Sequence, residues 1–144
     1  MRPATASRFA SIAEGDELPG HSYTPTIAEM MLYGAVIWNP HRIHYDLAFC
    51  TEEMGYPGMP ITGPLQGDWL LQVVTEWIGD EGTLEHYTFS HRQSAYIGQT
   101  LTTGGRVVAR DAATGRVTLA LEVRNAAGEV ITPGEAVVRL PLHP

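Results

Sequence analysis

The chain has 144 residues, enough for one domain with its own core and too few for two of ordinary size. Its formal net charge of -7 argues against nucleic acid as the main partner, because phosphate binding needs a surplus of Lys and Arg. No run reaches the roughly 18 apolar residues of a membrane helix, and Cys50, the lone cysteine, has no partner for an internal disulfide, so a cytoplasmic, reducing setting without a membrane partner is expected.

Residues 1–12 carry two arginines and small residues without an apolar run, and read as a short N-terminal arm. Residues 13–144 then form the domain. Glu14 to Gly20 is turn-rich, and residues 21–25 read as extended. Thr26 and Glu29 make a capping box, which predicts a helix running to about Trp38. Asn39-Pro40 stops it, since the residue before a proline avoids helical backbone. Residues 41–46 read as extended, and Asp46 is placed to cap a second helix over residues 47–54.

A proline- and glycine-rich loop, residues 55–60, leads to Ile61-Thr62-Gly63 and a long apolar helix. Leu65, Trp69, Leu70, Val73, Val74, Trp77 and Ile78 recur at intervals of three and four, and the helix ends at Gly79. Beyond it the period changes to two. Strands are expected over residues 84–93, 99–110, 117–123 and 130–140. Turns at Asp111–Gly115 and Asn125–Gly128 join the last three, and Pro133 suggests an edge or a bulge. This is an α+β pattern: one long buried helix, then an antiparallel meander.

The densest chemistry lies in Trp38-Asn39-Pro40-His41-Arg42-Ile43-His44-Tyr45-Asp46. His41, His44 and Asp46 have metal-ligand character, but a metal site ordinarily recruits more ligands, and none is expected here. A polar turn capping a helix is the plainest reading. The third is acid–base catalysis. Histidine moves protons near neutral pH, and this one precedes a helix start whose unpaired N–H groups can stabilise an oxyanion. Cys50 reads as a buried, inert thiol, because a nucleophile would need an activating neighbour.

The segment resembles the motif of the MaoC-like (R)-specific enoyl-CoA hydratase family: Asp-x-Asn-Pro-x-His-x-Asp, then Pro-Ile-x-His-Gly at the start of a hot-dog helix. His44 falls on the catalytic histidine, Asp46 on the second Asp, and Pro60-Ile61-Thr62-Gly63 on the later segment. The sequence departs from that pattern in three places. Asn39 stands at the catalytic Asp, His41-Arg42 at the Asn-Pro pair, and Thr62 where the family usually has His. The runs from His41 to Asp46, Gly55-Tyr56-Pro57-Gly58 and Gly63-Pro64-Leu65-Gln66 are similar to the C-terminal halves of mitochondrial-type 3-hydroxyacyl-thioester dehydratases and mesaconyl-CoA hydratases. Those halves also carry Asn at the Asp position.

The resemblance implies a single hot-dog domain, a long central helix wrapped by an antiparallel sheet. It implies reversible hydration of a 2-enoyl thioester, or dehydration of a 3-hydroxyacyl thioester, on coenzyme A or an acyl carrier protein. No cofactor beyond the thioester substrate is implied. His44 would be the acid–base group, Asn39 would position water or substrate, and the Gly63 N–H would form the oxyanion hole. Arg42, Tyr56, Met59 and Thr62 are the candidate substrate contacts. Arg42 would meet an acyl carboxylate or else hold Asp46. Arg92 and Arg106 are candidates for coenzyme A phosphates, with surface solvation the plainer role. In the resembling hydratases a second hot-dog half often precedes this one, so a homodimer or a heterodimer with another hot-dog subunit is expected. Two alternatives remain: a non-catalytic acyl-CoA-binding subunit, and a hot-dog thioesterase using Asp68 or Glu76.

Overall fold

The computed structural model describes residues 7–143; residues 1–6, half of the expected arm, lie outside them. The rest of that arm packs on the body. Helix α1 (Arg8–Ser11) buries Phe9, and Ile12 follows it into the core. Arg8 reaches across to donate to the Ile78 carbonyl at 2.9 Å, one of the acceptors that a helix end leaves unpaired. Strands β1 (Glu17–Leu18) and β2 (Ser22–Tyr23) are short and both pair antiparallel with a later strand.

Helix α2 (Ile27–Val36) starts on the expected capping box. The Glu29 N–H donates to Thr26 Oγ1 at 3.3 Å, and the Thr26 N–H donates to the Glu29 carboxylate at 2.7 Å. It ends two residues before Trp38, for a reason beyond Pro40. The Trp38 N–H bonds the Ala35 carbonyl at 3.3 Å and the Asn39 N–H bonds the Gly34 carbonyl at 2.8 Å. Those two bonds make a Schellman cap, whose left-handed residue is usually glycine. Here it is Trp38, at φ 56° and 90% exposed.

Residues 41–46, expected to be extended, instead include a 3-10 turn, Arg42–His44, closed by the His44 N–H on the His41 carbonyl at 3.1 Å. The His41 ring also accepts the Ile43 N–H, so this histidine caps the turn itself. The next helix is capped by Asp46 as expected, through the Phe49 N–H at 3.0 Å, and contains a π turn, Phe49–Glu53.

Helix α3 (Gly63–Ile78) is the axis of the molecule, with Leu70, Val73 and Val74 fully buried. Strands β3 (Thr83–Phe89), β4 (Leu101–Asp111), β5 (Arg116–Arg124) and β6 (Val130–Arg139) complete a six-stranded antiparallel sheet of order β1-β4-β5-β6-β3, with β2 also on β4. Val117, Leu119, Leu121 and Val123 of β5 turn inward at the expected period of two. They meet α3 in one core.

Strand β3 stops at Phe89, short of the expected residue 93. The cause is Pro133. It lies inside the sheet rather than on an edge, opposite Glu122 of β5, and its nitrogen faces the side where β3 has run out. Its carbonyl still takes the Ser90 N–H at 2.9 Å. The Arg92 and Gln93 N–H groups then share the Ile131 carbonyl, and the chain leaves the ladder there.

A tryptophan at a left-handed position carries a steric cost of about 1–2 kcal/mol. Trp38→Gly is therefore expected to raise stability by about 1 kcal/mol, read as a higher urea midpoint at unchanged slope; a lower midpoint would show that the exposed ring makes a compensating contact.

Candidate active site

Two cavities meet at His44 and Asn39. One, of about 550 Å³, is apolar and lined by Met30, Met31, Ala35, Trp38 and Tyr45 among others. The other, of about 440 Å³, runs past Tyr56, Pro60, Thr62 and Gly63 to His91, Ser94 and Tyr96. His44 and Asn39 line both, so a ligand reaching from one cavity into the other passes the imidazole.

The segment before α3 sets the geometry. The Ile61 N–H bonds the Ala95 carbonyl at 2.8 Å, and the Ile97 N–H bonds the Met59 carbonyl at 2.9 Å. In an extended segment alternate residues present their backbone groups to opposite sides. Pro60 between them therefore turns its carbonyl the other way, onto His44 Nδ1 at 3.0 Å. A carbonyl can only accept, so Nδ1 carries the hydrogen and neutral His44 keeps a bare lone pair on Nε2. Burial pushes the His44 pKa below the ordinary histidine value. The Pro60 bond opposes that shift, and nearby His41 adds to it. The ring is thus held as a neutral base.

Gly63 is the first residue of α3. Thr62, at the N-cap, makes no capping bond, and Pro64 contributes no N–H. The Gly63 amide is thus an unpaired helix-start donor at the cavity wall. A Cβ at position 63 would lie 3.2 Å from the His91 ring, so close packing as well as access calls for glycine there.

The structure brings together His44, Asn39, Gly63, Tyr56 and Thr62. It does not bring Arg42 or Met59 among the lining residues. Arg42 Nε is bonded to Asp46 at 2.8 Å and its guanidinium stacks over Phe49 at 4.4 Å, so the reading in which it holds Asp46 is the one that the geometry favours. Met59 is buried by the alternation that turns Pro60 toward His44. Asn39 Oδ1 accepts the His41 N–H at 3.1 Å, which leaves the amide nitrogen of Asn39 for a ligand. Arg92 and Arg106 line neither cavity.

Asp46 is engaged by the Phe49 N–H and Arg42, and His41 by the Ile43 N–H, so these groups do not converge. Among the described residues no cluster of three or more His, Cys, Asp or Glu is placed to hold a metal. Cys50 is buried, donates to the Ile43 carbonyl and has its pKa raised by burial. Asp68 is bonded by Tyr33 at 2.5 Å and Glu76 by Gln72 and His21, and neither lines either of the two cavities at His44.

Sequence reasoning missed His91, Ser94 and Tyr96. The one signal was negative: Ser90-His91-Arg92-Gln93-Ser94 lacks the apolar alternation of a strand. The spacing of Met30 and Met31 within α2 reads as core rather than as ligand contact. Met30 is buried, but both also border the apolar cavity, and Met31 is exposed.

One long helix wrapped by an antiparallel sheet defines a hot-dog domain. The chain belongs to the hydroxyacyl-thioester dehydratase type 2 family, whose model matches residues 3–98. It is 42% identical over 41 residues to mesaconyl-C(4)-CoA hydratase of Chloroflexus aurantiacus, a match covering 28% of this chain and 15% of that protein. It is 36% identical over 50 residues to the mitochondrial hydroxyacyl-thioester dehydratase type 2 of Schizosaccharomyces pombe, covering 33% of this chain and 17% of that protein. The matched segments therefore span less than a fifth of either relative. In fold it is similar to the (R)-hydratase from A. caviae involved in PHA biosynthesis, with a TM-score of 0.83 and 21% identity over 91% of this chain and 98% of that one. The ChsH1-ChsH2 complex from Mycobacterium tuberculosis also contains a similar chain, with a TM-score of 0.79 and 16% identity over 90% and 98% of the two chains.

The Pro60 bond and the burial of His44 give a checkable outcome. In long-range nitrogen–proton spectra His44 should show the Nδ1–H tautomer and titrate below the free-histidine value of about 6.5. An Nε2–H pattern would contradict the tautomer set by the Pro60 carbonyl.

Proposed function

We propose that the chain adds water reversibly to a 2-enoyl thioester, with His44 Nε2 as the single acid–base group. The observation that carries this reading is the His44 Nδ1 bond to Pro60, which leaves Nε2 bare in a cavity shared with the start of α3. In hydration, His44 takes one proton from water and the oxygen bonds to the β-carbon. The alkene electrons move to the thioester oxygen, which the Gly63 N–H stabilises, on the order of 3 kcal/mol for such a donor. His44 then returns its proton to the α-carbon, so the imidazole ends neutral. Dehydration is the same path reversed.

Asn39 cannot act as a base, because an amide does not accept a proton at neutral pH. Its free amide nitrogen positions the water or the substrate. The apolar cavity suits an acyl chain, and the cavity beside Thr62 and Tyr56 suits the polar thioester arm of coenzyme A or a carrier protein. Leu32, Val36 and Trp38 form an exposed apolar face on and just after α2, which favours assembly with a second hot-dog chain, the same or different. A silent acyl-CoA-binding subunit is the second reading, favoured by the amide at position 39.

The test is loss of the conjugated-thioester absorbance of crotonyl-CoA and mesaconyl-CoA, with the active species sized in solution. His44→Asn keeps a donor toward Pro60 and removes Nε2. It is expected to lower turnover by about 100-fold or more. The acid limb of kcat/KM should lie below the ordinary histidine range, because the neutral ring is the active form and its pKa is lowered. Full activity in both His44→Asn and Asn39→Asp would sink the assignment, and a well-folded wild-type protein that turns over neither thioester would leave the silent subunit.

A further inference from the structure

His91 lines the same cavity as His44, packed against Gly63, and the reaction path above does not use it. It lies just beyond β3, between Ser90 and Arg92, whose N–H groups still bond the Pro133 and Ile131 carbonyls of β6. Its Nδ1 is 3.3 Å from Thr132 Oγ1, and Thr132 Oγ1 is 2.6 Å from Gln66 Oε1. Thr132 and Gln66 are both fully buried.

The proton order along this chain follows from the partners. Gln66 Oε1 can only accept, so the single hydroxyl hydrogen of Thr132 points to it. Thr132 then offers His91 only a lone pair, and Nδ1 of His91 must carry the hydrogen. Its Nε2 is bare, as in His44. Partial desolvation lowers the His91 pKa, which keeps the ring neutral. One feature of the arrangement is costly: Gln66 Nε2 is buried with no hydrogen-bond partner among the described residues. An unmatched buried donor is uncommon enough to need a reason, and a role at a working site is one such reason.

Two neutral histidines with bare Nε2 atoms thus line one cavity, and a water molecule has two hydrogens. At the carboxylate position of the resembling motif stands Asn39, an amide whose Oδ1 already accepts the His41 N–H, so no carboxylate is available there for the second hydrogen. We propose that His91 is a second catalytic residue whose Nε2 accepts a hydrogen bond from the hydrogen of the attacking water that His44 does not remove. This rests on the hydratase reading. His91 takes no proton. It holds the water oxygen toward the β-carbon while His44 removes the other hydrogen, and in dehydration it accepts the hydrogen bond of the departing hydroxyl.

His91→Asn keeps a donor toward Thr132 and loses the Nε2 acceptor. His91→Gln puts an amide oxygen near the place of Nε2. With crotonyl-CoA, His91→Asn is expected to lower kcat on the order of 100-fold, as a loss of water positioning does, with KM and the thermal midpoint close to wild type. His91→Gln should recover part of the loss. In nitrogen–proton spectra His91 should be the Nδ1–H tautomer in the wild type, and Thr132→Val should abolish that preference. Wild-type kcat in His91→Asn, or an Nε2–H tautomer in the native protein, overturns the proposal and leaves the role of His44 standing. A wild-type protein that turns over no enoyl thioester, while His44→Asn changes nothing, overturns both.

Discussion

The site depends on one short extended segment. Met59 and Ile61 are tied to residues 95–97, and this fixes the direction of everything between them. Pro60 must then present its carbonyl to His44, and three residues later the chain opens α3 with the Gly63 amide at its first position. An acceptor that sets a tautomer and a helix-start donor thus come from residues only three apart. Their relative placement is a property of the backbone rather than of flexible side chains. The long helix behind Gly63, buried along Leu70, Val73 and Val74, keeps that backbone in place.

Much of this was legible in the sequence. The capping box at Thr26 and Glu29, the three-and-four spacing from Leu65 to Ile78, and the alternation in β5 are local signals, and each produced its element. His44 and Asn39 sit in one motif segment and Gly63 in a second, and the three line one cavity. Arg42 shows the limit of a motif, since its neighbour four residues on, Asp46, engages the side chain within the turn. His91 shows the other limit. Its place depends on where Pro133 of a different strand ends the pairing, a relation that no local pattern carries.

The polar chain beneath His91 is a concession in an otherwise apolar core. Leaving Gln66 Nε2 unmatched costs about 1–3 kcal/mol against a satisfied arrangement. An apolar residue at position 66 would remove that cost, and with it the acceptor that orients Thr132. The same tension occurs at Trp38, where a glycine would relax the helix cap. Both departures from local preference sit within reach of the cavities, as expected when stability is given up at a working site.

Trp38 has one more consequence. Of the three tryptophans, Trp69 is buried and stacked on Tyr23 at 4.3 Å, and Trp77 lies under the Arg8 guanidinium at 4.9 Å. Trp38 alone is both open to water and part of the wall of the apolar cavity. Its indole therefore carries an optical signal of its own, with long-wavelength emission when wet and a blue shift when an acyl chain or a neighbouring subunit excludes water. The protein contains a native fluorescent gauge of whether that cavity is filled.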